Sequence, residues 1–229
     1  MIELVKKLKN QQKLETMCHL TVVGQSKEES RSVLNYLKDH GIYNIIALRG
    51  DPPAGTSDFK PHPDGFHHAV DLVLEAKKSN YFSIAVAGFP ELHPDSKNRK
   101  EDITFLKKKV DAGADIIITQ LFFDNNYFYE YLDCVRKAGI KIPVIPGILP
   151  ILSAPQVRRF TALCKSKIPP HVEKELSRYE NDAAGATAYG IELATVQCKD
   201  LIKRGFPGLH FYCLNRSHSV KSVLRNLGF

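Results

Sequence analysis

The clearest sign of the fold is the stretch Asp115-Ile-Ile-Ile-Thr-Gln-Leu-Phe-Phe123. After Asp115, and apart from its Thr-Gln pair, it is apolar and rich in β-branched residues, as expected for a strand whose two faces are both covered. Short runs of this kind alternate with longer amphipathic stretches along the chain, and this alternation is typical of βα units around a parallel sheet. The six predicted strands are residues 17–23, 43–48, 82–87, 115–120, 142–147 and 209–214.

The segments between these strands carry helical patterns. Ser26-Lys-Glu-Glu29 has the spacing of a capping box, which predicts a helix from there to about His40. The segment 167–205 is longer than one crossover needs, and we expect a break at Pro169-Pro170, then a polar segment, then a helix over about 183–204. The other predicted helices are residues 1–12, 64–79, 99–112, 125–138, 154–166 and 217–227.

Composition points to one ordinary globular domain over residues 1–229. The chain is 43% hydrophobic and 25% charged, which excludes a disordered tail, and no apolar run is long enough to cross a bilayer. The five cysteines are odd in number and form no C-x-x-C pair, so we expect reduced thiols and a cytoplasmic location. We expect no membrane partner.

The formal net charge of +7 predicts attraction of anionic ligands. The basic residues are spread over most segments and tryptophan is absent, whereas a nucleic-acid binder usually concentrates its basic residues in a stripe. We therefore expect no nucleic-acid partner. We also expect no metal site, because His67-His68 has no further ligands at a characteristic spacing.

The choice between an open doubly wound sheet and a barrel depends on where the polar residues lie. No G-x-G-x-x-G motif follows any predicted strand, so the dinucleotide-binding fingerprint is missing. Polar residues instead follow nearly every strand, and chemistry placed at many strand ends is typical of the (β/α)8 barrel. The chain has about six of the eight βα units that such a barrel needs.

The turn in Ala47-Leu-Arg-Gly-Asp-Pro-Pro53 is the sharpest local signal of a ligand site. Its glycine would let the backbone approach a ligand closely, and Arg49 offers a forked donor for phosphate or carbonyl oxygens. Asp51 could hydrogen-bond a bound ring system. The alternative is an ordinary polar turn with an internal pair between Arg49 and Asp51.

Six stretches, in order along the chain, carry a resemblance to a known family. They are His19-Leu-Thr21, Ala47-Leu-Arg-Gly-Asp51, Ala85-Val-Ala-Gly-Phe-Pro-Glu-Leu-His-Pro94, Asp111-Ala-Gly-Ala-Asp-Ile-Ile-Ile-Thr-Gln-Leu-Phe-Phe-Asp124, Pro146-Gly-Ile-Leu-Pro150 and His210-Phe-Tyr-Cys-Leu-Asn-Arg216. Together they strongly resemble the methylenetetrahydrofolate reductase family, over essentially all 229 residues. Each motif alone is a weak signal, whereas the ordered set is highly specific.

The resemblance implies a flavin-dependent catalytic domain with a (β/α)8-type barrel fold. It implies FAD as the cofactor and NAD(P)H as the co-substrate, with ping-pong hydride transfer that reduces 5,10-methylenetetrahydrofolate to 5-methyltetrahydrofolate. Its partners would be the folate and the nicotinamide, its product would feed one-carbon and methionine metabolism, and a homo-oligomer is compatible with it. A second class of hypothesis is a catalytically impaired FAD- or folate-binding homologue or subunit. An unrelated barrel enzyme is less favoured, because no phosphate-site glycine cluster and no Schiff-base lysine is evident.

The resemblance also implies roles for individual residues. Asp51 and Gln120 match catalytic positions. The matching cofactor-binding positions are His19, Leu48, Arg49, Gly50, Asp51, His68, His93, Asp102, Lys108 and Lys109. The matching substrate-binding positions are Gln120, Phe123, Gln156, Tyr212 and Arg216.

Several of these positions also have a purely structural interpretation. Gln156 follows Ser153 at the spacing of a capping box. Either Phe211 or Tyr212 must pack against the barrel wall if both lie on the last strand. The run at 107–109 can be a solvated helix face. The family more often has an aromatic residue such as tyrosine at the position of His68.

The chain departs from the family at its N-terminus. The family begins with a strand carrying a Ser-Phe-Glu-Phe-Phe-Pro-Pro pattern, then a helix and a second strand, and none of these precedes Met1. The glutamate in that pattern is the family's general acid, and Glu28 on a predicted helix surface is no substitute. General acid catalysis contributes roughly 10²–10⁴-fold, so we expect impaired folate reduction by these residues alone. We also expect sheet edges near 17–23 and 209–214, and therefore either a truncated chain or another segment or subunit that fills the gap.

Overall fold

The computed structural model describes residues 2–50 and 60–229, which form six strands and nine helices. Strands and helices alternate through most of the chain, as the hydrophobic pattern predicts. The elements are α1 (Ile2–Asn10), β1 (Met17–Thr21), α2 (Lys27–Asp39), β2 (Asn44–Leu48), α3 (Ala69–Lys77), β3 (Ser83–Gly88), α4 (Arg99–Asp111), β4 (Ile116–Leu121), α5 (Asn125–Lys137), β5 (Val144–Ile148), α6 (Ala154–Cys164), α7 (Pro170–Arg178), α8 (Ala183–Lys203), β6 (His210–Phe211) and α9 (Ser217–Leu227).

The strands form one six-stranded sheet in the order β1-β2-β3-β4-β5-β6. Strand β1 pairs in parallel with β2 from Met17 opposite Asn44 to Thr21 opposite Leu48, and β2–β3 and β5–β6 are also parallel. In a doubly wound sheet the strand order reverses at a switch point, whereas here each strand lies beside its neighbours in sequence. The predicted α/β fold of the TIM-barrel type with six βα units is therefore confirmed. The two ends of the sheet are β1 and β6, where the edges are predicted.

The described residues of Met1–Ala87 and Thr104–Ile117 form one compact unit, named unit 1 here. Its core lies along one face of β1, where Cys18 and Leu20 are buried, and along the fully buried centres of β2 and β3. The predicted capping box opens α2, because the Ser26 hydroxyl accepts from the Glu29 backbone N–H at 3.1 Å and the Ser26 N–H donates to the Glu29 carboxylate at 2.8 Å.

Residues Gly88–Ile103 and Ile118–Phe229 form a second compact unit, named unit 2. Its core joins the end of β4 to β5, α6 and α7. That cluster contains Leu121, Phe123, Leu149, Ile151, Ala154, Val157, Val172 and Leu176. The expectation of a single domain over residues 1–229 stays a prediction.

The segment after Pro169 is polar in sequence, as expected, but it contains an additional helix, α7 at residues 170–178, that the sequence pattern did not predict. Pro170 stands in the first turn of this helix, where a missing N–H costs nothing. Val172 and Leu176 follow four residues apart and are both fully buried. A proline pair that was interpreted as a break is thus a helix start.

Several predicted boundaries differ from the structure, and two of these differences have a clear local cause. The helix predicted from residue 64 begins at Ala69, because the Asp71 carboxylate accepts the backbone N–H groups of His67 at 3.0 Å and His68 at 2.9 Å and so fixes the first turn. The last strand is only His210–Phe211, since the chain turns through positive φ angles of 49° at Leu214 and 59° at Asn215. Tyr212 lies just after β6, and its N–H still donates to Ile148 O at 2.9 Å.

Candidate active site

The turn after β2 in unit 1 is built on close backbone packing against β1. The N–H groups of Val22 and Val23 donate to Leu48 O at 3.2 Å and Arg49 O at 3.0 Å, which continues the β1–β2 pairing past both strands. Gly50 has φ +88°, and a Cβ there would lie 2.5 Å from Val23 Cγ1. The protein's own packing therefore requires this glycine, in addition to any ligand approach. Asp51 lies outside the described residues.

His19 stands on β1 between the buried residues Cys18 and Leu20, with its own side chain on the exposed face of the strand. Partial burial of the ring nevertheless lowers the pKa of His19 below its usual value. At neutral pH the ring is therefore uncharged and offers one donor and one acceptor.

The basic run on α4 divides into residues with different surroundings. Lys107 pairs with Asp111 one turn along the helix, and the exposed Lys108 lies 5.0 Å from the centre of the Phe105 ring. Lys109 instead donates from Nζ to Ala87 O, in β3, at 2.6 Å. The interpretation of the run as a solvated helix face is correct for Lys108 and wrong for Lys109, whose ammonium group reaches a strand carbonyl.

His68 takes the N-cap position of α3, as its predicted place at a helix start requires. Its side chain is exposed. Its backbone N–H donates to the Asp71 carboxylate. The helix is therefore capped through the His68 backbone, and the imidazole makes no capping hydrogen bond.

In unit 2 the loop after β3 is held by Arg99. The guanidinium donates to Phe89 O at 2.6 Å, to Pro90 O, and to the Asp102 carboxylate at 2.9 Å. It also lies 5.4 Å from the centre of the buried Tyr131 ring. Asp102 is only 7% exposed, so this ion pair is a buried anchor for the loop as well as a candidate cofactor contact.

His93 lies in the middle of the same loop. Its Nδ1 accepts from the Asp95 backbone N–H at 3.0 Å, and its ring meets the Phe89 ring edge-on at 4.5 Å. In the neutral ring the proton is then on Nε2.

Gln120, near the C-terminal end of β4, has a fixed amide orientation. Its Oε1 accepts from the Leu121 backbone N–H at 2.9 Å. The carbonyl of the amide thus accepts one hydrogen bond within the chain, and the NH₂ group can donate to a ligand. A ligand at this side chain would be recognised through an acceptor atom.

The residue before it, Thr119, links β4 to β5 and to Tyr212. Thr119 is fully buried, its Oγ1 accepts from Gly147 N at 2.9 Å, and its carbonyl accepts from the Tyr212 hydroxyl at 2.8 Å. Burial raises the pKa of Tyr212 well above its usual value, so the hydroxyl stays a donor. A Cβ on Gly147 would lie 2.2 Å from Thr119 O, which makes this glycine obligatory.

The remaining predicted substrate residues have different surroundings. Phe123 is 3% exposed within the unit 2 core, and Tyr212 packs against the same cluster. Gln156 gives its backbone N–H to the Ser153 hydroxyl at 3.3 Å, so Ser153 is the N-cap of α6 and the Ser153 half of the suggested capping box is present. Arg216 is exposed at the N-cap of α9, outside those contacts.

A family model described as "Methylenetetrahydrofolate reductase" matches residues 1–228. The chain belongs to the methylenetetrahydrofolate reductase family. It is 41% identical over 238 residues to "Probable methylenetetrahydrofolate reductase (NADH)" of Oryza sativa subsp. japonica, with 99% of this chain and 40% of that protein covered. It is 35% identical over 225 residues to "5,10-methylenetetrahydrofolate reductase" of Escherichia coli (strain K12), with 98% of this chain and 74% of that protein covered.

A "Probable methylenetetrahydrofolate reductase (NADPH)" of Caenorhabditis elegans is 36% identical over 218 residues. The chain thus spans about 40% of the length of its plant reductase relatives. Among solved structures, an uncharacterized protein from Clostridium thermocellum, which binds two copies of 5-methyl-5,6,7,8-tetrahydrofolic acid, has the same fold. The TM-score is 0.60 at 13% identity, covering 96% of this chain and 76% of that one.

The structure thus brings some of the residues suggested by the reductase resemblance into contact within each unit. In unit 1 the turn at Arg49 and Gly50 packs on the end of β1, and in unit 2 Tyr212 binds the residue before Gln120. Sequence reasoning missed two side chains of unit 2. Arg99 holds the loop after β3, and the Glu91 carboxylate accepts the Lys167 backbone N–H at 2.9 Å. Glu91 lies inside a quoted motif, whereas Arg99 carries no local signal, because its importance comes from carbonyls nine and ten residues away.

Two absences concern the described part of the chain. Within residues 2–50 and 60–229, no group of three or more His, Cys, Asp or Glu side chains lies close enough together to bind a metal ion. Over the same residues, no helix combines the length and apolar composition needed to span a membrane.

Proposed function

We propose that this chain is a catalytic domain of the methylenetetrahydrofolate reductase type, which uses FAD to reduce 5,10-methylenetetrahydrofolate to 5-methyltetrahydrofolate. The observation that carries the proposal is the match of the family model to residues 1–228. The orientation of Gln120 agrees with it, because the amide that would meet the substrates has its carbonyl bound internally and its NH₂ group available to a ligand.

The side chains at the strand ends fit the chemistry of FAD. Arg49 offers a forked guanidinium for phosphate or ring carbonyl oxygens, and Lys109 has its ammonium group at Ala87 O. His19 is uncharged at neutral pH, and His93 accepts the Asp95 backbone N–H at Nδ1. FAD, when bound, supplies the two-electron transfer, and the protein contributes binding, orientation and exclusion of water.

The further FAD contacts in the proposal are Leu48, Gly50, Asp51, His68, Asp102 and Lys108. Gly50 brings its backbone close to β1. Asp102 is held in a fixed place by Arg99. We propose that Asp51 acts beside the flavin ring and the folate pterin.

The proposed role of Gln120 is to orient both substrates in turn. The NH₂ group can donate to a carbonyl oxygen of the nicotinamide carboxamide or of the pterin, so one side chain serves both halves of a ping-pong reaction. In this proposal two neighbours hold the Gln120 segment in place. Phe123 packs in the unit 2 core, and the Tyr212 hydroxyl binds the carbonyl of Thr119, the residue before Gln120. We assign Gln156 and the exposed Arg216 to the folate, and the glutamate carboxylates of a folate suit the charge of Arg216.

We propose NADH or NADPH as the electron donor, since both appear in the names of relatives. We also propose that the protein is cytoplasmic and that its product enters methionine synthesis, as the family resemblance implies. The alternative proposal is a catalytically impaired homologue or subunit that binds FAD or folate but turns over poorly.

The test separates the two half-reactions. After reconstitution with FAD, we expect a bound flavin spectrum, bleaching on anaerobic addition of NADH or NADPH, and recovery of the spectrum on addition of methylenetetrahydrofolate. Gln120→Leu should retain flavin but slow both half-reactions by about tenfold or more, since one hydrogen bond to each substrate is lost. Leu163→Ala, exposed on α6, is the matched control.

The outcomes discriminate among the hypotheses. Failure to bind flavin would contradict the proposed function. Bleaching by the nicotinamide without recovery by the folate would support the catalytically impaired homologue. Recovery that is equally fast in Gln120→Leu would contradict the assigned role of Gln120.

A further inference from the structure

The connection between α6 and α7 is fastened beside Gln120. Helix α6 ends at Lys165, which has φ +53°. The Ser166 hydroxyl then donates to Leu121 O at 3.2 Å, and the Lys167 backbone N–H donates to Glu91 Oε2 at 2.9 Å. Residues 165–167, called the 165–167 connection, are therefore bound both to the end of β4 and to the loop after β3.

Glu91 is an unusual anchor for this connection. Its other carboxyl oxygen, Oε1, is buried and has no hydrogen-bond partner among residues 2–50 and 60–229. The side chain lines a crevice with Gln120, Leu121 and Ser166, and that crevice is too narrow for a water molecule. Burying an unpaired carboxyl oxygen is costly, so the arrangement persists only because the surrounding structure determines it.

The loop that carries Glu91 is itself rigidly held. Arg99 binds the carbonyls of Phe89 and Pro90, the two residues before Glu91. Leu92, the residue after it, has φ +111°, a conformation that a leucine rarely adopts. The Glu91 carboxyl is thus directed to the 165–167 connection by a backbone that has little freedom to move.

We propose that Glu91 is a positioning residue for Gln120, which it orients through the 165–167 connection. Glu91 binds Lys167, the adjacent Ser166 binds Leu121 O, and the Leu121 N–H holds the Gln120 carbonyl. The consequence for pterin and nicotinamide binding rests on the proposed function. The mechanical link from Glu91 to Gln120 does not depend on that function.

The link should respond to pH. Burial raises the pKa of Glu91 above its usual range, while the Lys167 N–H and nearby positive charges act against this rise. Protonation replaces a carboxylate acceptor with a weaker one, so the connection should loosen as pH falls through this raised pKa. Five titratable or charged groups among the described residues face Glu91. They are Lys165 and Lys167 in the 165–167 connection, Cys164 at the end of α6, Asp124 after β4 and Arg99 on α4.

The test measures amide hydrogen exchange in the ligand-free protein. In Glu91→Ala, exchange at the Lys167 and Leu121 amides should accelerate roughly tenfold, as expected from loss of one hydrogen bond to a charged group. Glu91→Gln keeps an acceptor of similar size, so protection should be retained and should no longer vary with pH between about 4 and 7. Glu130→Ala, exposed on α5 of the same unit, is the matched control.

Catalytic parameters supply a second measurement. The KM for the folate should rise in the wild type as pH falls, with a smaller change in kcat, and this KM profile should flatten in Glu91→Gln. Unchanged exchange at Lys167 and Leu121 in Glu91→Ala, or a pH response that persists in Glu91→Gln, would overturn the inference. If Glu91→Ala does not fold, the Glu91→Gln comparison decides alone. A chain without folate turnover would contradict the proposed function but leave the exchange result interpretable.

Discussion

The hydroxyl of Tyr212 holds the end of β4 through a single hydrogen bond to Thr119 O. We expect Tyr212→Phe to lower the free energy of unfolding by about 1–2 kcal/mol, because a buried donor is removed and a buried carbonyl loses a partner. Urea denaturation measures this loss. Tyr43→Phe removes an exposed hydrogen bond to Glu15, and its cost should be below about 0.5 kcal/mol because water replaces the partner. Equal losses in the two variants would contradict the role of Tyr212.

Gly147 has no room for a side chain. A Cβ would lie 2.2 Å from Thr119 O and 2.8 Å from Tyr212 Cε2. We expect Gly147→Ala to cost at least about 2–3 kcal/mol, since the β4–β5 pairing must move to relieve the overlap. The matched control is Gly208→Ala, whose Cβ would have only an ordinary contact at 3.8 Å with Ile145 Cδ1. Similar midpoints in urea for both variants would show that β4 and β5 separate easily.

At the scale of helices, α5 and α8 are joined by a polar cluster around Asp200. Its carboxylate accepts from Asn125 Nδ2 at 2.8 Å and from the Tyr129 hydroxyl at 2.5 Å. Arg204 stacks over the Tyr129 ring at 4.0 Å. Burial and the neighbouring carboxylate raise the pKa of Tyr129 to about 12. The pKa of Asp200 is lowered, mainly because its carboxylate accepts the hydrogen bond from the Tyr129 hydroxyl.

This cluster predicts a specific pH dependence. Because the pKa of Asp200 is lower in the folded chain than in the unfolded chain, its ionised form stabilises the fold above about pH 3.9, and that contribution is lost as pH falls through the lowered pKa. The Tm of the wild type should exceed that of Asp200→Asn at neutral pH, and the difference should shrink toward about pH 2. Thermal denaturation at several pH values checks this. A difference that does not change with pH would exclude the carboxylate as its source.

Helix α4 offers a matched pair of lysines. Lys109 reaches Ala87 O, whereas the neighbouring Lys108 lies against the Phe105 ring on the exposed side. We expect Lys109→Gln to weaken FAD binding by about tenfold and Lys108→Gln to weaken it by less than about threefold, because only Lys109 is held at a strand end. Titration of apoprotein with FAD by fluorescence measures both affinities. A larger effect of Lys108→Gln would reverse the assignment.

At the scale of the whole molecule, the net charge of +7 affects how anionic substrates approach. The KM for folate should rise several-fold when ionic strength increases from about 0.02 M to about 0.5 M, because salt screens long-range attraction. The rise should be steeper for folates with additional glutamate residues, and kcat should change little. Equal salt dependence for short and long glutamate chains would show that the net charge plays no part.

The two ends of the sheet also bear on association. Strands β1 and β6 are its outer members among the described residues, and an unpaired strand edge offers backbone hydrogen bonds to another chain. These edges are compatible with the predicted homo-oligomer, which stays a prediction. Sedimentation velocity over a range of protein concentrations would detect it.

Much of this fold follows from short-range patterns. The alternation of β-branched runs with amphipathic stretches predicts all six strands, and the Ser26–Glu29 spacing predicts the start of α2 correctly, because these features depend on residues that are close together in the chain. The helix after Pro169 was not predicted, because a proline pair is compatible with both a break and a helix start. The burial of Val172 and Leu176 resolves that choice.

The candidate site divides in the same way. Ordered motifs at the strand ends were sufficient to identify the family and to nominate Arg49, Gln120 and Tyr212. The structure settled the rest. A hydrogen bond from the adjacent Leu121 N–H sets the direction of the Gln120 amide, and contacts across the fold distinguish Lys109 from Lys108 and anchor Glu91. Local periodicity carries no information about these contacts, because most of their partners lie tens of residues away in sequence and meet only when the helices pack on the sheet.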